Sequence, residues 1–223
     1  MHVPENAVLQ TIAEREDAIR ELTERGLPLY SDRPKNWDNL IALSAILART
    51  ERARLSTRVL DAGSSCGVIL PWLARYGYRD LVGVDLEPSA HAPPSDVIRY
   101  ERADLTRTSF PDASFDAITC LSVIEHGVPT DLYLREMSRL LSPGGVLVTS
   151  TDYWHEPIDT SGNPHGAAWR IFSADEIAEL IARAGDYGLA LSGPLDYACR
   201  EKVVHWEYVQ LDYTFIAFTL VKE

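Results

Sequence analysis

Apolar positions recur along this chain with two different periods. Val8, Ile12, Ile19 and Leu22 fall on one side at helical spacing, and Gly26 and Pro28 end that run. A polar, aromatic loop, LYSDRPKNWDN, separates this expected helix from a second one, LIALSAILART. From Arg58 the pattern changes. Short apolar runs of strand length (RVLDAG, DLVGVDLE, VIRYERAD, FDAITCLSVI and GVLVTSTDY) alternate with the helical stretches GVILPWLARYG and TDLYLREMSRLLS. Pro143, Gly144 and Gly145 close the second of these helices. Ser173 and Glu176 stand at capping-box spacing and open a further helix through about Ala184. LALSGP and YTFIAFTLVK read as closing strands. Between the second and third strands, PSAHAPPSD carries Pro88, Pro93 and Pro94, which predicts an irregular or very short connection there.

Alternation of this kind implies an α/β, doubly wound, mostly parallel seven-stranded sheet with helices on both faces. Residues 1–57 form an N-terminal helical cap in this reading, and 58–223 form one compact unit. Ligands of such sheets bind at the carboxyl ends of the strands. Five acids stand there in successive loops: Asp61, Asp85, Asp104, Glu125 and Asp152.

Composition narrows the function. The 223 residues carry a formal net charge of -12, and such an acidic body repels phosphate backbones and anionic lipid surfaces. Nucleic acid and membranes are therefore not expected partners. Cys66, Cys120 and Cys199 are scattered, which gives neither a disulfide framework nor a zinc spacing and fits a reducing cytoplasm. Acids at positions 5, 14, 16 and 17 interrupt any signal-peptide pattern, and no segment approaches the roughly 20 apolar residues of a membrane-spanning helix.

The stretch RVLDAGSSCGVIL carries the chemistry. Gly63 and Gly67 let a loop tighten after the first strand, and the next helix points its N–H groups at whatever binds there. A dinucleotide, a phosphate or an amino-acid carboxylate would each suit such a loop. The dinucleotide pattern is broken, because Ser65 replaces its second glycine and Val68 its third; the phosphate-loop pattern lacks its lysine. Asp61 repels a pyrophosphate and favours an ammonium group. Asp85, at the end of the second strand, suits the two hydroxyls of a ribose. A ribose joined to an amino acid without phosphate describes S-adenosylmethionine.

The chain resembles the class I S-adenosylmethionine-dependent methyltransferases. VLDAGSSCG is similar to their first motif, LVGVDLEP to the second, RADL to the third, and FPDASFDAITCLSVIEHG and LLSPGGVLVTST to the blocks around the fourth and fifth strands. The resemblance spans about Asn36 to Tyr153. It implies that Asp61 binds the methionyl ammonium, that Gly63, Ser65 and Gly67 line the methionyl and ribose parts, and that Asp85 holds the ribose. It implies also that Leu86 packs on adenine, that Asp104 and Leu105 bond it, and that Ser122 lies near the sulfonium. Tyr30 and Trp37 are candidates to close over the cofactor.

Methyl transfer is an in-line displacement, so the protein mainly aligns the nucleophile and excludes water. A hydroxyl acceptor needs a base as well, and His126 and His155 are the candidates. The segment 152–172 is too long and polar for a plain connection and is expected to wall the acceptor site. Asp152, His155, Glu156, Asp159 and His165 cluster in sequence, but their spacing matches no metal-ligand motif, and no metal is expected. Tyr153, Trp154, Trp169 and Phe172 suit stacking on a sugar face or a flat metabolite. The expected reaction is O-methylation of a small molecule such as a glycoside or natural product, with S-adenosylhomocysteine as product. N-methylation of a small amine and a cofactor-binding inactive partner are the alternatives. A homodimer is compatible with the chain.

Overall fold

The computed structural model describes residues 4–65, 67–88, 95–163 and 168–223. Its elements follow the periodicities. Before the first expected helix, β1 (Ala7–Val8) is a two-residue strand, and α1 (Ile12–Glu24) starts where Thr11 caps it by accepting from Glu14 N. The second helix, α2 (Lys35–Thr50), begins inside the expected loop. Then come β2 (Arg58–Ala62), α3 (Ile69–Arg75), β3 (Asp80–Asp85), β4 (Ile98–Arg102), β5 (Phe115–Leu121), α4 (Thr130–Leu140), β6 (Leu141–Tyr153), α5 (Ala174–Asp186), β7 (Leu189–Leu191), β8 (Val204–Trp206) and β9 (Leu211–Lys222).

The strands lie in the order β1-β9-β6-β5-β2-β3-β4, with β7 and β8 also paired to β9. Pairings among β2, β3, β4, β5 and β6 are parallel, whereas β9 runs antiparallel to β6, β1, β7 and β8. The mostly parallel α/β architecture is thus as expected. Nine strands occur among the described residues where seven were anticipated. The extra two are β1 and β8, each too short to leave a periodic signal. The N-terminal segment accordingly contributes to the sheet as well as covering it.

Two apolar layers sandwich the sheet. One joins α1, α2 and α3 to its first face through Leu22, Ile41, Ile46, Trp72 and Val148. The other packs α4 and α5 on the opposite face through Leu134, Met137, Ile177 and Leu180. α5 shows both halves of the capping box anticipated from Ser173 and Glu176. Pro143-Gly144-Gly145 does not sit in a free turn. β6 begins directly after α4, and a shift in its register with β5 between Phe115 and Ala117 absorbs the kink. The connection between β3 and β4 falls largely on residues 89–94, outside the described residues.

The consequence for function is topological. From β2 the chain winds outward through β3 to β4, then returns to β5 on the other side of β2 and winds outward to β6. The order reverses between β2 and β5, and the carboxyl ends on either side of that point frame a crevice.

Candidate active site

The loop after β2 is built around backbone that only glycine tolerates. Gly63 has φ +87°, and a Cβ there would lie 2.4 Å from Val123 Cγ2. Gly63 N and Ser64 N both donate to Val84 O, at 2.8 and 3.0 Å, which ties the loop to the end of β3. Asp85 completes the tie. Its Oδ2 accepts from Ser65 N at 3.1 Å and its Oδ1 from Glu87 N at 2.9 Å, so the carboxylate faces the loop with lone pairs still available.

Asp61 lies beneath, 4% exposed, with Oδ1 accepting from Thr119 Oγ1 at 2.7 Å. Burial raises its pKa to about 7; the Thr119 bond opposes the rise and the nearby Asp85 adds to it. A Cβ on Gly67 would stand 3.1 Å from Asp61 Oδ2, so that glycine keeps the carboxylate's outer side clear. Asp61 forms no ion pair with another described residue. Cys66, between these glycines, lies outside the described residues.

A cleft of about 420 Å³ opens beside the loop, lined by Gly63, Asp85, Leu86, Asp104, Leu105, Val123, His126 and Leu132 among others. Leu86 and Leu132 are among the few large apolar side chains left exposed, 64% and 38%, and both line this cleft. Asp104 Oδ1 is engaged by Thr106 N and Thr106 Oγ1 at 2.9 and 2.7 Å. Six of the eleven residues named for the cofactor therefore converge here: Gly63, Asp85, Leu86, Asp104 and Leu105 in the lining, and Ser65 through its bond to Asp85.

The others stand apart from the lining. Ser122 is buried at the end of β5 with φ +53°, in a conformation few non-glycine residues adopt. Its N–H donates to Ser150 Oγ at 3.1 Å, and its hydroxyl donates to Asp38 Oδ2 at 3.3 Å. Trp37 does not close over the cleft. It is 7% exposed and packs in the core with Leu40 and Ile41, because α2 starts earlier than the sequence indicated and turns that ring inward. Tyr30 is not in the lining either; its backbone is clamped by Asn36, whose side chain bonds both Tyr30 N (2.8 Å) and Tyr30 O (3.0 Å).

A second cavity, about 700 Å³, adjoins the first. Its walls include Lys35, Glu125, His126, Asp152, Trp169, Trp206 and Tyr213. His126 borders both cavities. Its pKa lies below the ordinary value, through burial and the charge of Lys35, so the imidazole is neutral at pH 7. Glu125 and Asp152 are 1% and 5% exposed. Thr151 Oγ1 donates to Glu125 Oε2 at 2.9 Å, and Trp169 Nε1 to Asp152 Oδ2 at 2.8 Å. Burial and mutual repulsion push Glu125 well up, and burial brings Asp152 up to about 7, with the Trp169 bond opposing.

His155, the other candidate base, is elsewhere. It is exposed, touches Trp154 at a tilt with ring centroids 4.7 Å apart, and borders neither cavity. The end of β6 turns it outward as the chain leaves the sheet. His165 lies outside the described residues, and among the described residues no group of three or more His, Cys, Asp or Glu is placed to hold a metal ion. Of the segment 152–172, Asp152 and Trp169 reach the cavity.

Residues 60–149 match a family described as a methyltransferase domain. A ubiquinone biosynthesis O-methyltransferase of Xanthomonas oryzae pv. oryzae is 30% identical over 163 residues, covering 68% of this chain and 62% of the relative. Residues 60–149 carry a methyltransferase domain, on a fold shared with S-adenosylmethionine-dependent methyltransferases. Among solved structures, an S-adenosylmethionine-dependent methyltransferase from Mesorhizobium loti superposes with TM-score 0.60 at 20% identity, over 83% of this chain and 98% of that one. Geranyl diphosphate C-methyltransferase from Streptomyces coelicolor A3(2), solved with Mg2+, geranyl diphosphate and S-adenosyl-L-homocysteine, gives TM-score 0.56 at 18% identity, over 94% of this chain and 98% of that one. Both likenesses concern the fold. The chain spans 44% of the length of one curated relative, from Azorhizobium caulinodans, and 62% of the Xanthomonas protein.

The residues of this methyltransferase domain fit its cofactor. A buried acid without a counter-charge, a carboxylate one strand away, two glycines that clear the space between them and an apolar cleft beyond are complementary to an ammonium, a diol and a flat base in that order. Among the described residues no helix is long and apolar enough to cross a membrane.

Proposed function

We propose that this chain transfers the methyl group of S-adenosylmethionine to a hydroxyl of a small-molecule acceptor, a glycoside or a natural product of similar size. The observation that carries the reading is the meeting of two cavities at His126: one holds the residues named for the cofactor, the other is large enough for a compact metabolite. The O-methyltransferase names of the curated relatives support the oxygen acceptor.

Bound S-adenosylmethionine supplies an electrophilic methyl group. Asp61 and Asp85 hold its two polar ends, so that the reacting carbon is fixed relative to the protein. His126, neutral at pH 7, takes the acceptor's hydroxyl proton as the oxygen attacks. Trp169 offers a rigid surface on which a sugar face or flat ring stacks.

The test is transfer of a labelled methyl group to small-molecule extracts, beside calorimetry with S-adenosylhomocysteine. Label in an O-methyl product, lost in His126→Ala while cofactor affinity holds within a few-fold, supports the reading. Cofactor binding without transfer would leave the chain an inactive partner, and label on nitrogen would make it an N-methyltransferase.

A further inference from the structure

The larger cavity is lined by acids that form no ion pair among the described residues. At its rim the cations are already committed: Arg15 and Arg33 both pair with Glu16, and His205 Nδ1 meets Asp212 Oδ1 at 2.6 Å. Deeper in, Glu125 and Asp152 form no ion pair with any described residue. The charge of Lys35 acts on both, and it also acts on Asp38. One lysine shared between the buried Glu125 and Asp152, and with Asp38, leaves the pocket negative or forces a carboxyl to hold its proton.

Aromatic rings line the cavity beside these acids. Trp169 and Trp206 meet edge-on, with centroids 4.5 Å apart and planes at 81°. Tyr213 stands 6.0 Å from Trp169 at 61°. Trp169 and Tyr213 are only 4% and 6% exposed, yet both border the cavity. Trp169 is pinned by its bond to Asp152, so the rings keep their mutual inclination. Inclined electron-rich rings beside carboxylates form a surface complementary to an organic cation.

We propose that the acceptor carries a positively charged nitrogen, seated against the Glu125 and Asp152 carboxyls and the Trp169–Trp206–Tyr213 cluster beside them. This rests on reading that cavity as the acceptor site. The cation supplies a counter-charge beyond that of Lys35, and a neutral ligand of equal shape does not. The reacting hydroxyl then lies on the same molecule, toward His126.

Three phenols of similar size and different charge test the proposal: tyramine, 4-ethylphenol and 4-hydroxyphenylacetate, each titrated calorimetrically into the full chain with and without S-adenosylhomocysteine. Tyramine should bind roughly tenfold or more tighter than 4-ethylphenol, the scale of a hydrogen bond to a charged group, and the anion should bind weakest. Glu125→Gln and Asp152→Asn should each cut the tyramine preference severalfold while S-adenosylhomocysteine still binds, which shows that the variants are folded. Equal or tighter binding of the neutral or anionic phenol overturns the proposal, and so does the absence of binding by all three at millimolar concentration. Failure of S-adenosylhomocysteine itself to bind would instead count against the methyl-transfer reading, and the titrations without it still report on the cation.

Discussion

Asp61 makes cofactor capture a titration as well as a fit. Its pKa near 7 means that it is partly protonated at neutral pH before a cation arrives. Binding an ammonium requires the carboxylate, so S-adenosylmethionine affinity should rise as pH increases from about 5.5 to 8, and Asp61→Asn should remove that slope. Calorimetry in buffers of different ionisation enthalpy would register the released proton. Asp85→Ala deletes the acceptors of Ser65 N and Glu87 N as well as the proposed ribose partner, and should weaken binding by about 1.5–3 kcal/mol. Gly63→Ala places a methyl group on Val123 at a positive φ; thermal or denaturant unfolding should show a loss of about 1–3 kcal/mol. These three positions were legible in the sequence because strand, glycine and acid occur in an order that physical chemistry restricts. Trp37 was misplaced because a side chain's direction depends on where its helix begins, and that boundary is weakly encoded; His155 follows a strand whose end was read correctly, and its outward direction is set by the loop beyond it.

At the scale of elements, α5 is the clearest case of local sequence fixing local structure. Ser173 accepts from Glu176 N at 3.4 Å, and Glu176 Oε2 accepts from Ser173 N at 2.8 Å. Ser173→Ala should lower stability by about 1 kcal/mol, read as a reduced midpoint of unfolding. The start of α2 shows the opposite case. Lys35, Asn36 and Asp38 read as polar loop, yet they form the first turn of a helix whose Asp38 accepts from Ser150 Oγ at 2.6 Å and from Ser122 Oγ. Partners 84 and 112 residues away leave no local signal. The same holds for Trp206 and Tyr213, which reach the acceptor cavity only because β8 folds back on β9.

For the whole molecule, the strand order explains why one crevice gathers these groups: β2 and β5 diverge, and the loops after β2, β3, β5 and β6 all face it. Collecting so many buried acids has a cost in stability. Asp61 and Asp152 have pKa values raised from 3.8 to about 7, so the ligand-free fold binds more protons than the unfolded chain between those values. Their stabilising contribution is full below about pH 4 and is lost as pH rises through 7. The arginine-paired acids Glu16, Glu21 and Glu136, whose pKa values are lowered, are already ionised above pH 5 and do not mask the trend. His126, with its lowered pKa, acts in the opposite sense but is a single solvent-accessible group. The ligand-free protein should therefore melt at a lower temperature at pH 8 than at pH 5.5, and Asp61→Asn should reduce the difference.

The most direct test is a calorimetric titration of the purified chain with S-adenosylmethionine at pH 7.5, repeated with Asp61→Asn and Asp85→Ala. The account predicts one site in the intact chain and a marked loss of affinity in each variant. No binding to the intact chain, or binding that both substitutions leave unchanged, would contradict it.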